Sequence, residues 1–461
     1  MSMFSWKVVE PPPPGVGVMQ DERLSWPKTA GVGAQHVVAM FGGTFVFPVI
    51  MGLDANLALM FSGICTIAFL LITKNQIPSY LGTSASFVAS VAAIRAQGGD
   101  SAHVTGAILI AGVILALIGV FIHFAGAAPL RRVLPPAVTG AVVMLIGFNL
   151  APVVAGVYWP QDPTIGILTV IFVVLGTVLL RGFWGRITIF LGLLFGMGLS
   201  AIFDQIFGKI TSQDGTGEIT TRYRVNLDQV GTADWFGLPS GKLADGVSII
   251  HGPSFSLTFT LLVLPAVIAL VAENTGHVRA IGEMTDKDLD PYMGRAIGAD
   301  GALTAVASLF GGSPTTTYAD NMGVMAATRV FSTAAFYLAG AFAIILGLCP
   351  KVGAFVYAVP GGVLGGITLV LYGMIGLIGA KIWVDNRVDF ANPNNMVPLA
   401  AGLVAGIGNV TLPLGGDFEL TGIALGTILV IGLYHLVARA SARVAPTNGV
   451  EHEPQQTGLT P

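Results

Sequence analysis

Residues 29–73 carry one formal charge, at Asp54. A run this apolar is long enough to cross a bilayer twice, since about 20 apolar residues span the hydrocarbon core. Gly52-Leu53-Asp54 supplies a turn between the two crossings. The pattern continues: runs at 101–130, 133–161, 163–180 and 187–203 each fit one span, and 75–94 is apolar but broken by Pro78, Gly82 and a Ser/Thr cluster. After a polar stretch at about 204–250 come runs near 254–278, 296–311, 314–328, 330–350, 352–380, 396–412 and 420–438. Seven segments precede the linker and seven follow it, and in each set the third is short and polar. Only 10% of the 461 residues are charged, against about 25% in a soluble protein. These features predict an all-α polytopic membrane protein with 14 transmembrane segments.

Charge placement tests that count. With a cytoplasmic N-terminus, sixteen of the 22 lysines and arginines fall on the inner side. Arg95 and Lys351 fall in short outer loops, and the other four lie in the linker. This is the positive-inside asymmetry expected of a multi-pass protein of the cell (inner) membrane, with both termini cytoplasmic. No cleavable signal peptide is visible before the first run, where Pro11-Pro12-Pro13-Pro14 sits in a polar tail. A net charge of −3 gives no reason to expect a nucleic-acid partner. Cys65 and Cys349 stand in apolar stretches without neighbouring Cys or His, so neither a disulfide framework nor a zinc site is expected. No phosphate-loop, dinucleotide or metalloprotease motif occurs, and no cofactor is implied.

The halves resemble each other. Leu134-Pro135-Pro136-Ala137-Val138-Thr139-Gly140 recurs as Val359-Pro360-Gly361-Gly362-Val363-Leu364-Gly365, and Gln35-His36 stands opposite Glu273-Asn274. The break Gly82-Thr83-Ser84-Ala85-Ser86 stands opposite Ser313-Pro314-Thr315-Thr316-Thr317. Seven is odd, so the second copy enters the membrane from the other side, which is the inverted repeat of secondary transporters. The expected organisation is a tail (1–28), a first repeat (29–203), an extracytoplasmic linker (204–253), a second repeat (254–443) and a tail (444–461).

Three acids lie within apolar segments: Glu273, Asp300 and Asp320. A carboxylate at a helix centre costs about 2.5–3.5 kcal/mol on insertion scales, which makes each a functional candidate. His277 lies four residues after Glu273 and shares its helical face, so the pair can hold or release a proton near neutrality. Asp300 is read either as a helix-packing group or as part of a proton relay. Around Asp320, the β-branched run Thr315-Thr316-Thr317 favours extended backbone, and Asp320-Asn321 suits the N-cap of a helix starting at about Met322. A strand leading into a half-helix at membrane depth is tolerated only beside a cavity or inside protein. The first-half counterpart is Tyr80 to Phe87. Such a site suits a neutral heterocycle: carboxylates accept its N–H groups, backbone N–H groups donate to its carbonyls, and Phe87 or Tyr318 stacks on its ring. His36 is expected to hydrogen-bond between helices. His103, His123, His251 and His435 have no acidic neighbour in this reading.

At Asp320-Asn321-Met322-Gly323-Val324-Met325-Ala326-Ala327-Thr328-Arg329 the chain resembles the nucleobase–ascorbate transporter family. That family's signature is a polar residue, Asn-x-Gly, four variable residues, Thr, and a basic or small residue. Gln35-His36 is similar to its first-helix Gln-His pair, and Glu273 with Gly276-His277 to its eighth-helix motif. Uracil and pyrimidine-utilisation permeases look nearest. The resemblance implies a core domain of segments 1–4 and 8–11 and a gate domain of segments 5–7 and 12–14, with short strands in segments 3 and 10. It further implies proton symport of a nucleobase, elevator-like motion and a homodimer. By position, Glu273 and Asp320 would bind the base, the main chain near Ala319 and Ala85 would add hydrogen bonds, Ser84 would flank them, and Tyr372 would close over the site. His277 would support Glu273 in proton coupling. Asn321, Gly323, Thr328 and Arg329 would complete the motif. Asp320 stands where uracil permeases carry Glu, Ala85 where they carry Phe, and Ala319 where they carry Gly. The first two changes enlarge the pocket and leave a purine such as xanthine or uric acid open beside uracil. A carrier of sulfate or bicarbonate, from the related exchanger fold, predicts a site without two acids. A membrane-embedded enzyme needs a nucleophile–base or metal cluster, and none is evident.

Overall fold

A computed structural model of the chain describes residues 4–9, 17–40, 42–126, 128–215, 217–415 and 418–444. The Pro11–Pro14 run and the tail after 444, assigned above to polar termini, lie outside the described residues. The first half contains α1 (Trp26–Ala39), α2 (Ala55–Ile72), β1 (Leu81–Thr83), α3 (Val88–Ala96), α4 (Ser101–Ala125), α5 (Pro136–Phe148), α6 (Pro163–Leu179) and α7 (Thr188–Phe207). The second contains α8 (Leu257–Thr285), α9 (Met293–Ser308), β2 (Thr315–Thr317), α10 (Ala319–Thr328), α11 (Thr333–Gly347), α12 (Gly361–Asp385), α13 (Pro393–Ile407) and α14 (Gly422–Val444).

The helix starts follow from local chemistry. The Asp54 carboxylate accepts the Leu57 N–H at 2.7 Å, and Asp162 accepts that of Ile165 at 3.1 Å, each satisfying a donor the helix cannot. The two repeated prolines, Pro135 and Pro360, occupy matching places as N-caps of α5 and α12. Among the described residues seven helices are long and apolar enough to cross a membrane, or up to nine if each of two bent helix pairs is one span. The protein is a multi-pass membrane protein. The short helices α3 and α10 do not cross by themselves; each continues a strand.

Packing crosses between the halves. The helix α4 lies along α9, and α2 lies along α11; α5 pairs with α12. Small residues set these distances. A Cβ on Gly119 of α4 would collide with the backbone of Gly298 on α9, and one on Gly63 of α2 with the carbonyl of Gly340 on α11. Backbones this close gain dispersion contacts that lipid cannot supply.

β1 and β2 pair antiparallel, with Leu81 opposite Thr317, Gly82 opposite Thr316 and Thr83 opposite Thr315. All six residues are buried. A two-stranded ribbon has two bare edges, and each is covered by hydroxyls from a neighbouring helix. On β1, the Leu81 N–H donates to Thr66 Oγ1 at 2.9 Å, and Ser62 donates to the Leu81 carbonyl. On β2, the Thr315 N–H donates to Thr304 Oγ1 at 3.0 Å, and Thr304 donates back to the Thr315 carbonyl. Extended backbone is stable here because its polar groups are paired inside protein.

The polar linker is tied at both ends. Arg224 bridges Asp162, the N-cap of α6, at 2.7 Å and Asp204 of α7 at 3.0 Å. Asp245 meets Arg95 at 2.6 Å and the Ser101 N–H at 2.7 Å, at the α3–α4 turn. Burial would raise the Asp245 carboxyl, but the Ser101 hydroxyl and N–H and the Arg95 guanidinium hold it down at about 2. One sequence expectation fails nearby. His103, read as lacking an acidic neighbour, bonds Asp100 at 2.7 Å, because the two residues face each other across the first turn of α4.

Candidate substrate-binding site

The strand crossing aims two short helices, α3 and α10, into the interior. The first N–H groups of α10 have no partner within the helix, and its positive dipole end faces the same space. That space is a cavity of about 280 Å³. Glu273 and His277 of α8 line it, with Tyr318, Ala319 and Asp320 at the start of α10 and Ala85 and Ser86 after β1. Across from them, Val143 and Ile146 of α5 and Leu371, Met374, Ile375, Ile378 and Ile382 of α12 form an apolar wall.

The helix α10 starts at Ala319, three residues before the Met322 expected from sequence. Tyr318, not Asp320, is the N-cap, and it makes no side-chain cap bond. Asp320 therefore sits within the first turn, exposed to the cavity. Among the described residues, neither the Glu273 nor the Asp320 carboxylate has a hydrogen-bond partner or an ion pair, and no lysine or arginine lines the cavity. Two acids with open acceptor oxygens face a low-dielectric space, where donors on a ligand are worth most.

Tyr318 fixes the geometry. Its hydroxyl donates to the Thr83 carbonyl, which ties the start of α10 to the end of β1. Its ring packs where Gly43 leaves room; a Cβ there would stand 2.7 Å from the tyrosine oxygen. Gly43 belongs to a π-helical stretch, Gly42–Val46, that interrupts the first segment. Such bulges re-aim side chains and recur at functional sites.

The other predicted residues divide. His36 Nδ1 bonds Asn321 Oδ1 at 2.7 Å, linking α1 to α10 behind the cavity. The ring of His36 lies on Phe336, with centroids 4.2 Å apart. Thr328 donates to the Val324 carbonyl at 2.9 Å, and Arg329 ends α10 in the left-handed conformation at φ 54°. Gly323 lies on α10 with open space beside it. Gln35 is half-buried and does not line the cavity. Ser84 accepts the Ser86 N–H at 3.3 Å, and Phe87 is fully buried in the core; neither lines the cavity. Tyr372 faces a separate space with Phe148 and Trp159. Asp300 is buried on α9, behind α8, and accepts from Asn274 at 2.8 Å. Sequence reasoning passed over Gly43, Phe47 and the α12 wall. The Gly42-Gly43 pair inside an apolar run was the available signal.

A helical membrane protein whose broken segments turn carboxylates and helix ends toward one internal cavity is built as a solute transporter. A family model, Xan_ur_permease, described as "Permease family", matches residues 27–415. The chain belongs to that family, the nucleobase–ascorbate transporters. It is 39% identical to RutG of Escherichia coli (strain K12), named a pyrimidine permease, over 98% of this chain and 100% of that one. It is 35% identical to the uracil permease of the same strain (89% and 92% covered) and 32% identical to that of Bacillus subtilis (strain 168) (91% and 94% covered). These relatives are permeases, so the chain is a transporter and not an enzyme. Among solved structures, the transmembrane domain of the cyanobacterial bicarbonate transporter BicA aligns with TM-score 0.55 at 12% identity, covering 90% of this chain and 99% of that one. A murine Solute Carrier 26 anion transporter, Slc26a9, aligns with TM-score 0.60 at 13% identity, covering 90% and 69%. At such identities the likeness is one of fold alone.

Proposed function

We propose that the chain is a proton-coupled symporter that imports a nucleobase, with uracil or a related pyrimidine as the preferred substrate. The observation that carries this reading is the pair of unpartnered carboxylates, Glu273 and Asp320, lining one cavity with the N-terminus of α10. A cavity with two acids and no lysine or arginine repels an inorganic anion and accepts a neutral ring rich in N–H groups. The names of the related uracil and pyrimidine permeases agree with it. A carboxylate cavity that must cross the membrane is cheaper to move when protonated, which supports coupling to H⁺ through Glu273 and His277.

The same reading extends to architecture. The chain is organised as 14 segments in two inverted seven-segment repeats, 29–203 and 254–443, joined by the 204–253 linker. The matched pairings of α4 with α9 and of α2 with α11 favour it. Segments 1–4 and 8–11 form a core that carries the site. Segments 5–7 and 12–14 form a gate, against which the core moves as an elevator and through which two copies form a homodimer. Both termini face the cytoplasm of the cell membrane. The cavity runs along α12 to Ile382, beside Lys381 and near Arg387, so by the positive-inside rule it opens inward. Tyr372 then meets the substrate only after the core has shifted.

A purine is the second reading, favoured by the small Ala85 in the lining and by the short Asp320. Uptake of labelled uracil, xanthine and uric acid into liposomes, with and without an inward proton gradient, tests both. Uracil accumulation driven by the gradient and abolished in Glu273→Gln is expected. Gradient-independent uptake, or normal uptake by Glu273→Gln, would contradict the coupling.

A further inference from the structure

Behind the cavity, four side chains from three elements form one hydrogen-bonded series. His277 Nδ1 lies 2.8 Å from Thr317 Oγ1. Thr317 Oγ1 donates to Asn274 Oδ1 at 3.1 Å. Asn274 Nδ2 donates to Asp300 Oδ2 at 2.8 Å and to the Leu270 carbonyl at 2.9 Å. All four are buried.

The direction of each bond follows from counting protons. The Leu270 carbonyl only accepts, so the amide nitrogen of Asn274 must point at it, and Asn274 Oδ1 is left facing Thr317. The Thr317 hydroxyl has one hydrogen and spends it on that oxygen. Toward His277 it can therefore only accept, and the imidazole must carry its hydrogen on Nδ1. Nε2 is then left with a lone pair in a side chain that lines the cavity. Every donor in the series points toward Asp300.

We propose that Thr317 is a positioning residue for proton coupling: its hydroxyl sets the Nδ1–H tautomer of His277, so that Nε2 is the atom that takes a proton at the cavity. This rests on the transport reading above. The series also assigns Asp300 a role that the sequence left open. A carboxamide passes polarity but hands on no proton at neutral pH, so Asn274 interrupts any relay. Asp300 is the terminal acceptor that orients the series, and the mobile proton stays on the cavity side. The other titratable groups around His277 are Glu273 one turn earlier on α8, and Tyr318 and Asp320 across the cavity. The wall from α5 and the turn after β1 bring none. Charged or titratable groups of the remaining neighbours sit elsewhere: Arg95 on Asp245 and His103 on Asp100 at the linker side, His435 on the Val133 carbonyl, and His123 near Gly294, while Arg295 of α9 and Tyr434 and Arg439 of α14 do not line the cavity.

The test compares wild type, Thr317→Val and Thr317→Ser. Nitrogen NMR of histidine-labelled full-length protein, with His277→Gln used to assign the signal, reads the tautomer directly. Wild type and Thr317→Ser are expected to show Nδ1 protonated and Nε2 bare, and Thr317→Val to show both tautomers. In proton-driven uptake, Thr317→Val is expected to lose about tenfold or more in maximal rate with KM changed less than about threefold, and Thr317→Ser to recover most of the rate. A packing role alone would not make recovery follow the hydroxyl. Nε2–H at His277 in wild type overturns the inference, as does a Thr317→Val protein with the wild-type tautomer and rate. A wild type that takes up no nucleobase would remove the transport reading, while the tautomer measurement would still decide the role of Thr317.

Discussion

His36 and Asn321, 285 positions apart in sequence, meet Nδ1 to Oδ1 at 2.7 Å. The bond fastens the first segment to the half-helix that carries Asp320. Both residues are buried, so cutting the bond strands a polar group where water cannot reach it. His36→Ala should lower stability by about 1–3 kcal/mol, read as a lower melting temperature in detergent, and should weaken substrate binding as α10 loosens. An unchanged melting temperature would mean the bond does not hold α10.

Helix contact in this protein depends on absent side chains. Gly119 faces the Gly298 backbone with no space for a methyl group, whereas Gly198 on α7 has nothing within 4 Å. Overpacking of this kind costs about 1–3 kcal/mol. Gly119→Ala should therefore destabilise the folded protein by that order, and Gly198→Ala should leave it unchanged within about 0.5 kcal/mol. Thermal unfolding of the two variants side by side is the check.

The linker contact should be sensitive to acid. Asp245 is held at about 2 in the folded protein, below the ordinary value of about 3.9. A depressed carboxyl contributes stability that is present above its unfolded value and is lost as pH falls through the folded one. The melting-temperature advantage of wild type over Asp245→Asn should hold from pH 7 to about 4 and shrink between about 4 and 2. A constant difference across that window would show that the carboxylate charge is not what ties the linker to Arg95.

By the family resemblance, Asp320 takes the place of a glutamate in uracil permeases and is one methylene shorter. Asp320→Glu should shift the ratio of uracil to xanthine uptake toward uracil by about tenfold, the effect of one well-placed charged hydrogen bond. An unchanged ratio would move the origin of specificity to Ala85 and the α12 wall.

The helices were legible because membrane spans need long charge-free runs, and Asp54 and the repeated prolines mark where helices start. The extended Thr315–Thr317 segment was legible from its β-branched side chains, and the candidacy of Glu273 and Asp320 from the cost of charge in lipid. What escaped depends on contacts distant in sequence. Nothing near Thr317 signals that its hydroxyl sits between His277 and Asn274. Gly43 in the π-helical stretch has no room for a side chain because the ring of Tyr318, 275 positions later, occupies that space. The start of α10 at Ala319 escaped because Asp320 looks locally like a cap, while the strand pairing of Leu81 with Thr317 ends the extended backbone earlier.

Equilibrium binding of labelled uracil to the purified protein tests the central claim, that Glu273 and Asp320 together hold a neutral base. Glu273→Gln and Asp320→Asn should each weaken binding by at least about tenfold, or about 1.4 kcal/mol, and the double variant should bind nothing measurable. Wild-type affinity in either single variant would contradict the account.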